Sequence, residues 1–360
     1  MALSGLRNWK IGSCGSEALK KLRKILKTLC IMLLLFIVFR LFSPTWTPYI
    51  EGVNSISELK KVDINGENLE VMIRGSNRNN PVIIFVHGGP CCSEIPYVRK
   101  YQENLEKDFT IVHYDQRGSG KSYEFGEDYS MVTAAAHMDD LIALTEYIKE
   151  YLGKKQVILI GHSYGTYIAT LSVAQRPDLY QAYVGIGQMS NTIESELSSL
   201  EKCITAAENE KDARYLKSLE TAISGGESII PRNYIRKYGF AARKIDDNAD
   251  YLKGFVFGPE YNLIDAVRFY SASVKYQDAL IKEALDNPIT EIVTEINIPV
   301  YFVMGKYDGM TSPETAENYL CNMTGEGTKE FILFDESAHY PQFEEEEKFY
   351  QWMKKTFRNQ

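Results

Sequence analysis

The chain has 360 residues, of which 44% are hydrophobic and 24% charged; that suits one large domain with an insertion, or two average domains, and excludes disordered, collagen-like and disulfide-scaffold classes. The net charge of −8 is unevenly spread: residues 1–42 hold eight Lys/Arg against the single acid Glu17 (+7), and the remainder holds 32 basic and 47 acidic residues (−15). An acidic globular part lacks the basic footprint that nucleic acid requires, so a small molecule is the expected partner and no nucleic acid is expected.

From Thr28 to Phe39 the chain reads TLCIMLLLFIVF, and the apolar reading extends over Ile25–Phe42 if Lys27 and Arg40 turn their charged ends toward the interfaces. The Lys/Arg cluster before it and the absence of an A-x-A-like cleavage site after it favour a retained single-pass anchor over a removed secretory signal. The expected order is a basic cytoplasmic tail at 1–24, a transmembrane anchor at 25–42 and a linker at 43–57, with the rest of the chain across the membrane. Trp46 and Tyr49 fall where interfacial aromatics are common.

Beyond the linker, short β-branched or aromatic runs alternate with longer amphipathic stretches, the pattern of βα units on a mostly parallel sheet. The predicted strands are Leu59–Ile64, Leu69–Arg74, Val82–His87, Thr110–Asp115, Gln156–Gly161, Ala182–Gly187, Val300–Met304 and Glu330–Phe334. Asn65-Gly66 makes the first two a hairpin. Helical periodicity marks Met131–Leu152 and Tyr164–Ala174, and between about Gln188 and Pro299 the strand signals give way to charged helical sequence, including Ser195–Ala222 and Leu263–Leu285. We expect an α/β core at 58–187 and 299–360 and an inserted helical cap at 188–298.

The sharpest chemical signal is Gly161-His162-Ser163-Tyr164-Gly165, a G-x-S-x-G directly after the apolar run VILI and opening a helix. A bare G-x-S-x-G specifies little. With a strand before it and a helix after it, the glycines permit a strained turn that lifts the serine hydroxyl above the sheet, which makes Ser163 a nucleophile. A serine needs a base, usually a histidine oriented by a carboxylate. Of the five histidines, His87 and His162 belong to glycine turns, His113 to a strand and His137 to a helix. His339 follows the last predicted strand, where a Ser…Asp…His order places the base, and Asp308 follows the strand before it. Asp335 is the second choice for the carboxylate, and Asp115 reads as a residue tying down its own loop. Acyl transfer also needs oxyanion donors, worth roughly 3–4 kcal/mol each. We assign these to the backbone N–H groups of Gly89, in His87-Gly88-Gly89-Pro90, and of Tyr164. Gly118, Gly120 and Lys121 lack phosphate-loop spacing, and the six cysteines show no metal-ligand spacing. Neither a metal nor an organic cofactor is expected. Cys91, Cys92, Cys203 and Cys321 could pair in several ways in an extracytoplasmic domain.

HGGP after the third strand, DQRGSGKS after the fourth, the GHSYG turn, GKYD and finally SAHYPQFEE resemble, in order and spacing, the proline iminopeptidase branch of the α/β-hydrolase superfamily, from about residue 58 to 350. The resemblance implies an eight-stranded, mostly parallel sheet with helices on both faces, a helical cap, and a serine triad falling on Ser163, Asp308 and His339 with donors at Gly89 and Tyr164. Two features depart from the family. Cys91-Cys92 stands where a glycine generally follows HGGP and must change the floor or rim of the pocket. The tryptophan-glutamate pattern that holds a substrate amine in the cap is missing. Glu194, Glu196 and Glu201 read as an exposed acidic helix face. The expected activity is hydrolysis of an amide or ester through an acyl-enzyme on a small peptide or acyl substrate, led by release of N-terminal proline. The alternatives are a membrane-anchored carboxylesterase or lipid-amide hydrolase and, from another class, a catalytically silent hydrolase-fold binding module.

Overall fold

The computed structural model describes residues 14–358; Arg7 and Lys10 of the basic tail lie outside the described residues. A long helix, α1 (Cys14–Phe42), precedes an eight-stranded sheet formed by β1 (Ile56–Ile64), β2 (Glu67–Gly75), β3 (Val82–Val86), β4 (Thr110–Tyr114), β5 (Val157–His162), β6 (Tyr180–Ile186), β7 (Val300–Gly305) and β8 (Lys329–Phe334). The order across the sheet is β1-β2-β4-β3-β5-β6-β7-β8; β1 and β2 pair antiparallel, β2 pairs antiparallel to β4, and every other pair is parallel. This is the mostly parallel α/β sheet that the alternating pattern foretold. At the first hairpin Asn65 and Gly66 both take positive φ, 52° and 80°, the requirement of a tight primed turn.

The central strands are apolar on both sides because both faces are covered. Ile84, Val86 and Leu159 point toward α3 (Ala134–Leu152) and α4 (Tyr164–Gln175), in one cluster with Leu141, Leu144 and Ile168. Their neighbours Ile83, Phe85, Ile158 and Ile160 point the other way, into a cluster with Leu105 of α2 (Glu103–Asp108) and with Phe349, Met353 and Phe357 near the C-terminus. Helix α3 starts at Ala134, three residues later than the apolar spacing alone suggests, because the Thr133 hydroxyl accepts from the Ala136 N–H and caps it there.

Seven helices lie between β6 and β7 among the described residues: α5 (Thr192–Thr205), α6 (Glu210–Ser218), α7 (Glu220–Ser224), α8 (Arg232–Lys237), α9 (Asp247–Phe257), α10 (Leu263–Asp286) and α11 (Ile289–Ile292). The stretch read as helical sequence over Ser195–Ala222 forms three helices. Asn209 caps a new start by accepting from Asp212 N at 2.9 Å, and the broken chain folds back so that Leu200, Cys203, Leu216 and Ile223 share a small core with Ile230 and Ile235. Helix α10 opens on a capping box between Asn262 and Asp265. After β7 come α12 (Pro313–Asn322), α13 (Pro341–Glu344) and the amphipathic α14 (Glu346–Phe357).

Candidate active site

Ser163 stands between β5 and α4 with φ 54° and ψ −126°, a conformation that costs a side-chain-bearing residue about 1–3 kcal/mol. The turn is held on both sides: Ser163 N–H donates to Ile186 O (2.9 Å) and Thr166 N–H donates to Ser163 O (2.8 Å). Close approach explains the glycines around it. A Cβ on Gly165 would lie 2.0 Å from Val86 O, and one on Gly88 would lie 2.7 Å from Ser163 Cβ. Gly89 and Tyr164 join Ser163 in lining one cavity of about 470 Å³. Tyr164 is the first residue of α4, so its N–H has no partner within the helix.

His339 follows β8 and lines the same cavity. A carboxylate can only accept, so His339 Nδ1–H donates to Asp308 Oδ2, at 2.8 Å, and that fixes the tautomer. His339 Nε2 has no hydrogen-bond partner among the described residues. Asp308, fully buried past the end of β7, also accepts from Met310 N–H (2.8 Å), Thr311 N–H (3.0 Å) and the Thr311 hydroxyl (2.9 Å). The structure thus brings Ser163, His339, Asp308, Gly89 and Tyr164 to one place. Asp335 is left outside, its side chain 70% exposed.

The other four histidines are engaged elsewhere. Burial holds His87 and His113 neutral, lowering each to about 4, and His113 Nε2–H donates to Gln102 Oε1 at 2.8 Å. His137 is buried on α3 and bonds through Nε2 to Arg117 O. His162, beside the serine, pairs with Glu94 in the pocket wall. Burial opposes charge on both partners, but mutual attraction and the hydrogen bond outweigh it, raising His162 and lowering Glu94. His162 Nε2–H then donates to His339 O at 3.0 Å, tying the serine turn to the histidine loop. This connection escaped the sequence reading, since Glu94 lies 68 residues before its partner. Asp115 does tie down its own loop, accepting from Lys121 N–H at 2.6 Å; it also accepts from the Tyr261 hydroxyl at 2.5 Å, and burial raises it to about 7. Lys121 Nζ is bound to Glu70 (2.6 Å), an internal ion pair where a phosphate loop would leave the amine free.

The helical insertion supplies the facing wall, and here one expectation is corrected. Glu194 and Glu201 are exposed, but Glu196 is buried and lines the cavity, because Arg232 grips both its oxygens at 2.6 and 3.2 Å and Ile230 N–H donates at 3.0 Å. Asp247 is likewise paired with Arg236, at 2.5 and 2.8 Å. Asp278 of α10 lines the cavity and is exposed, with no ion pair among the described residues. Of the two adjacent cysteines only Cys92 lines the cavity; Cys91 is buried with φ 64°, a left-handed conformation suited to the glycine that the resemblance leads one to expect there. Cys30, Cys91, Cys92, Cys203 and Cys321 are free thiols.

Residues 81–346 match the family model of the α/β hydrolase fold. The chain belongs to that family, in its proline iminopeptidase-like branch, and is a hydrolase. It is 31% identical over 299 residues to a probable aminopeptidase, YbaC, of Bacillus subtilis (strain 168), covering 81% of this chain and 93% of the relative. It is 24% identical to a proline iminopeptidase of Heyndrickxia coagulans, over 80% and 94% of the two chains. The solved proline iminopeptidase of Mycobacterium smegmatis shares the fold with a TM-score of 0.62 at 15% identity, over 83% and 97%.

Helix α1 contains a segment, Leu19–Phe42, in which an 18-residue window has mean hydropathy 2.5, long and apolar enough to cross a membrane or to act as a signal sequence. Arg40 departs from its expected place at an interface. It is buried against the domain, and its Nη2 donates to Phe255 O (3.1 Å), Gly258 O (2.8 Å) and Tyr261 O (2.6 Å), carbonyls at and just beyond the end of α9.

Proposed function

We propose that the protein is a serine hydrolase working through an acyl-enzyme, with Ser163 as nucleophile, His339 as base and Asp308 as the residue that orients it. The observation that carries this reading is the unpartnered Nε2 of a buried histidine whose other nitrogen is bound to a buried carboxylate, sharing a cavity with a serine on a strained turn. Ser163 Oγ attacks the substrate carbonyl carbon as His339 Nε2 takes its proton, and the oxyanion is held by the N–H groups of Gly89 and Tyr164. The carbon–nitrogen or carbon–oxygen bond then breaks, with His339 returning the proton to the leaving group. Water, deprotonated by His339, releases the acyl group and restores the serine.

The leading substrate is a small peptide with N-terminal proline, supported by relatives named aminopeptidase and proline iminopeptidase. An N-terminal amine needs an anion. Glu196 and Asp247 are committed to arginines and Glu94 to His162, so of the acids lining the cavity Asp278 is the one without an ion pair among the described residues. The second reading, ester or lipid-amide hydrolysis at a membrane, is favoured by the apolar α1, which we read as a single-pass anchor with the catalytic domain extracytoplasmic. We take the insertion between β6 and β7 as a cap over the site.

The deciding experiment is turnover of a proline arylamide beside a butyryl ester by the full chain, with Ser163→Ala as control. Ser163-dependent release of proline supports the iminopeptidase reading, and ester turnover alone supports the second. Turnover of neither, together with no labelling by a fluorophosphonate, would make the fold a binding module.

A further inference from the structure

Where α1 meets the domain, the apolar end of the helix itself takes part in the contact, beside the linker after it. Phe36 lies against Phe257 at the end of α9, their rings 6.2 Å apart. Phe36 is six residues before the end of α1, so at 1.5 Å per residue Phe257 sits about 9 Å back along the apolar segment. Arg40, the charge within this stretch, is absorbed by the three carbonyls of the α9–α10 turn, and Asn262 Nδ2 donates to Ser43 O at 3.0 Å. Arg40 Nη2 and Ser43 O are thus satisfied within the protein, while Arg40 Nε is buried with no partner among the described residues. The exposed side chains here include an apolar set: Phe42 (72% exposed), Phe257 (73%), and on α10 Val267, Tyr270 and Val274 (83%), spaced three and four apart on one helical face; Lys253 and Lys275 are exposed beside them in sequence. Helix α1 also packs against α10. A soluble surface does not ordinarily carry such a strip beside a helix of this hydropathy.

We propose that this face of α9 and α10 is seated in the lipid bilayer that α1 enters, with Phe257 immersed below the headgroups, so that the domain rides on the membrane instead of hanging from a tether. The proposal rests on reading α1 as a membrane span. Both α9 and α10 also line the active-site cavity, through Tyr251 and Gln277, so its cap-side wall stands at the membrane surface. A substrate with an apolar tail has a short path there from the bilayer.

The test places the full chain in phosphatidylcholine vesicles doped with a phosphatidylcholine carrying a diazirine on one acyl chain, irradiates, and maps adducts by peptide mass spectrometry. Adducts are expected in α1 and in peptides spanning 252–274, and not in the segment 322–330, whose loop at 324–328 is exposed and polar. The Phe257→Glu/Val274→Glu variant should lose at least three-quarters of the 252–274 adducts, with unchanged hydrolysis of a water-soluble substrate and unchanged labelling of α1. Adducts in α1 alone overturn the docking. No adducts in α1 overturn the span and the docking with it. Equal labelling of 322–330 shows indiscriminate adsorption, and a lipid-independent dimer that buries 252–274 assigns the strip to a second copy; either result overturns the proposal. Apart from the hydrolysis control, none of these readouts depends on the reaction catalysed.

Discussion

In the proposed mechanism, where Ser163 is the nucleophile, Ser163, His339 and Asp308 contribute unequally. Ser163→Ala removes the nucleophile and should lower kcat on the order of 10^6-fold while leaving the unfolding midpoint within a degree or two. Asp308→Asn keeps the shape but presents a donor to Nδ1; by the tautomer argument kcat should fall about 10^4-fold. Thr311 touches only Asp308 in this group, and Thr311→Val deletes one of four hydrogen bonds to the carboxylate. A loss of about tenfold in kcat with KM unchanged, restored by Thr311→Ser, marks it as a positioning residue. The buried neutral histidines set part of the acid sensitivity. Between its ordinary 6.5 and the folded value of about 4, His113 binds a proton in the unfolded chain but not in the folded one. Its stabilisation is therefore full above pH 6.5 and is lost as pH falls toward 4. Denaturant titrations of wild type and His113→Gln at several pH values should show the wild type's advantage shrinking as pH falls; a constant difference would contradict this. At this scale the sequence was informative where a motif combined a residue with its setting: Ser163 between strand and helix, Asp308 and His339 each after a strand. It was silent on Glu94–His162 and Glu196–Arg232, because neither partner of a long-range ion pair carries a local signature.

At the scale of elements, the sheet was legible strand by strand, since its central runs are buried on both faces and its strands are bounded by Gly, Pro and Asn. The helices were less so. Helix α14 does carry apolar residues at helical spacing, Phe349, Tyr350, Met353 and Phe357, but among so many charges the stripe is easily overlooked. The division of the helical stretch Ser195–Ala222 into α5, α6 and α7 goes with packing among Leu200, Leu216 and Ile223, which propensity does not reveal. Helix packs tightly on sheet at Gly165, where α4 crosses β3. Gly165→Ala should destabilise the fold by about 3 kcal/mol or more, since the new methyl would overlap Val86 O and the backbones must part. Urea unfolding measures it, and a cost below 1 kcal/mol would show that the junction yields easily.

Over the whole molecule, long-range ties join the N-terminal segment to the catalytic domain. Arg40 reaches three carbonyls, Trp46 N–H donates to Pro259 O at 3.0 Å, and Arg74 holds both Thr47 and Pro48 O. Segment and domain should therefore unfold together. Arg40 was expected to reach out to an interface because nothing in its own neighbourhood reveals carbonyls more than 200 residues away. The most direct test of the central claim is covalent: the full chain is treated with a fluorophosphonate and the adduct located by peptide mass spectrometry. One adduct per chain on Ser163, abolished by heat unfolding and slowed by at least 100-fold in His339→Ala, is the expected result. A folded protein that takes no adduct, or takes it on another serine, would contradict the assignment of Ser163 as an activated nucleophile.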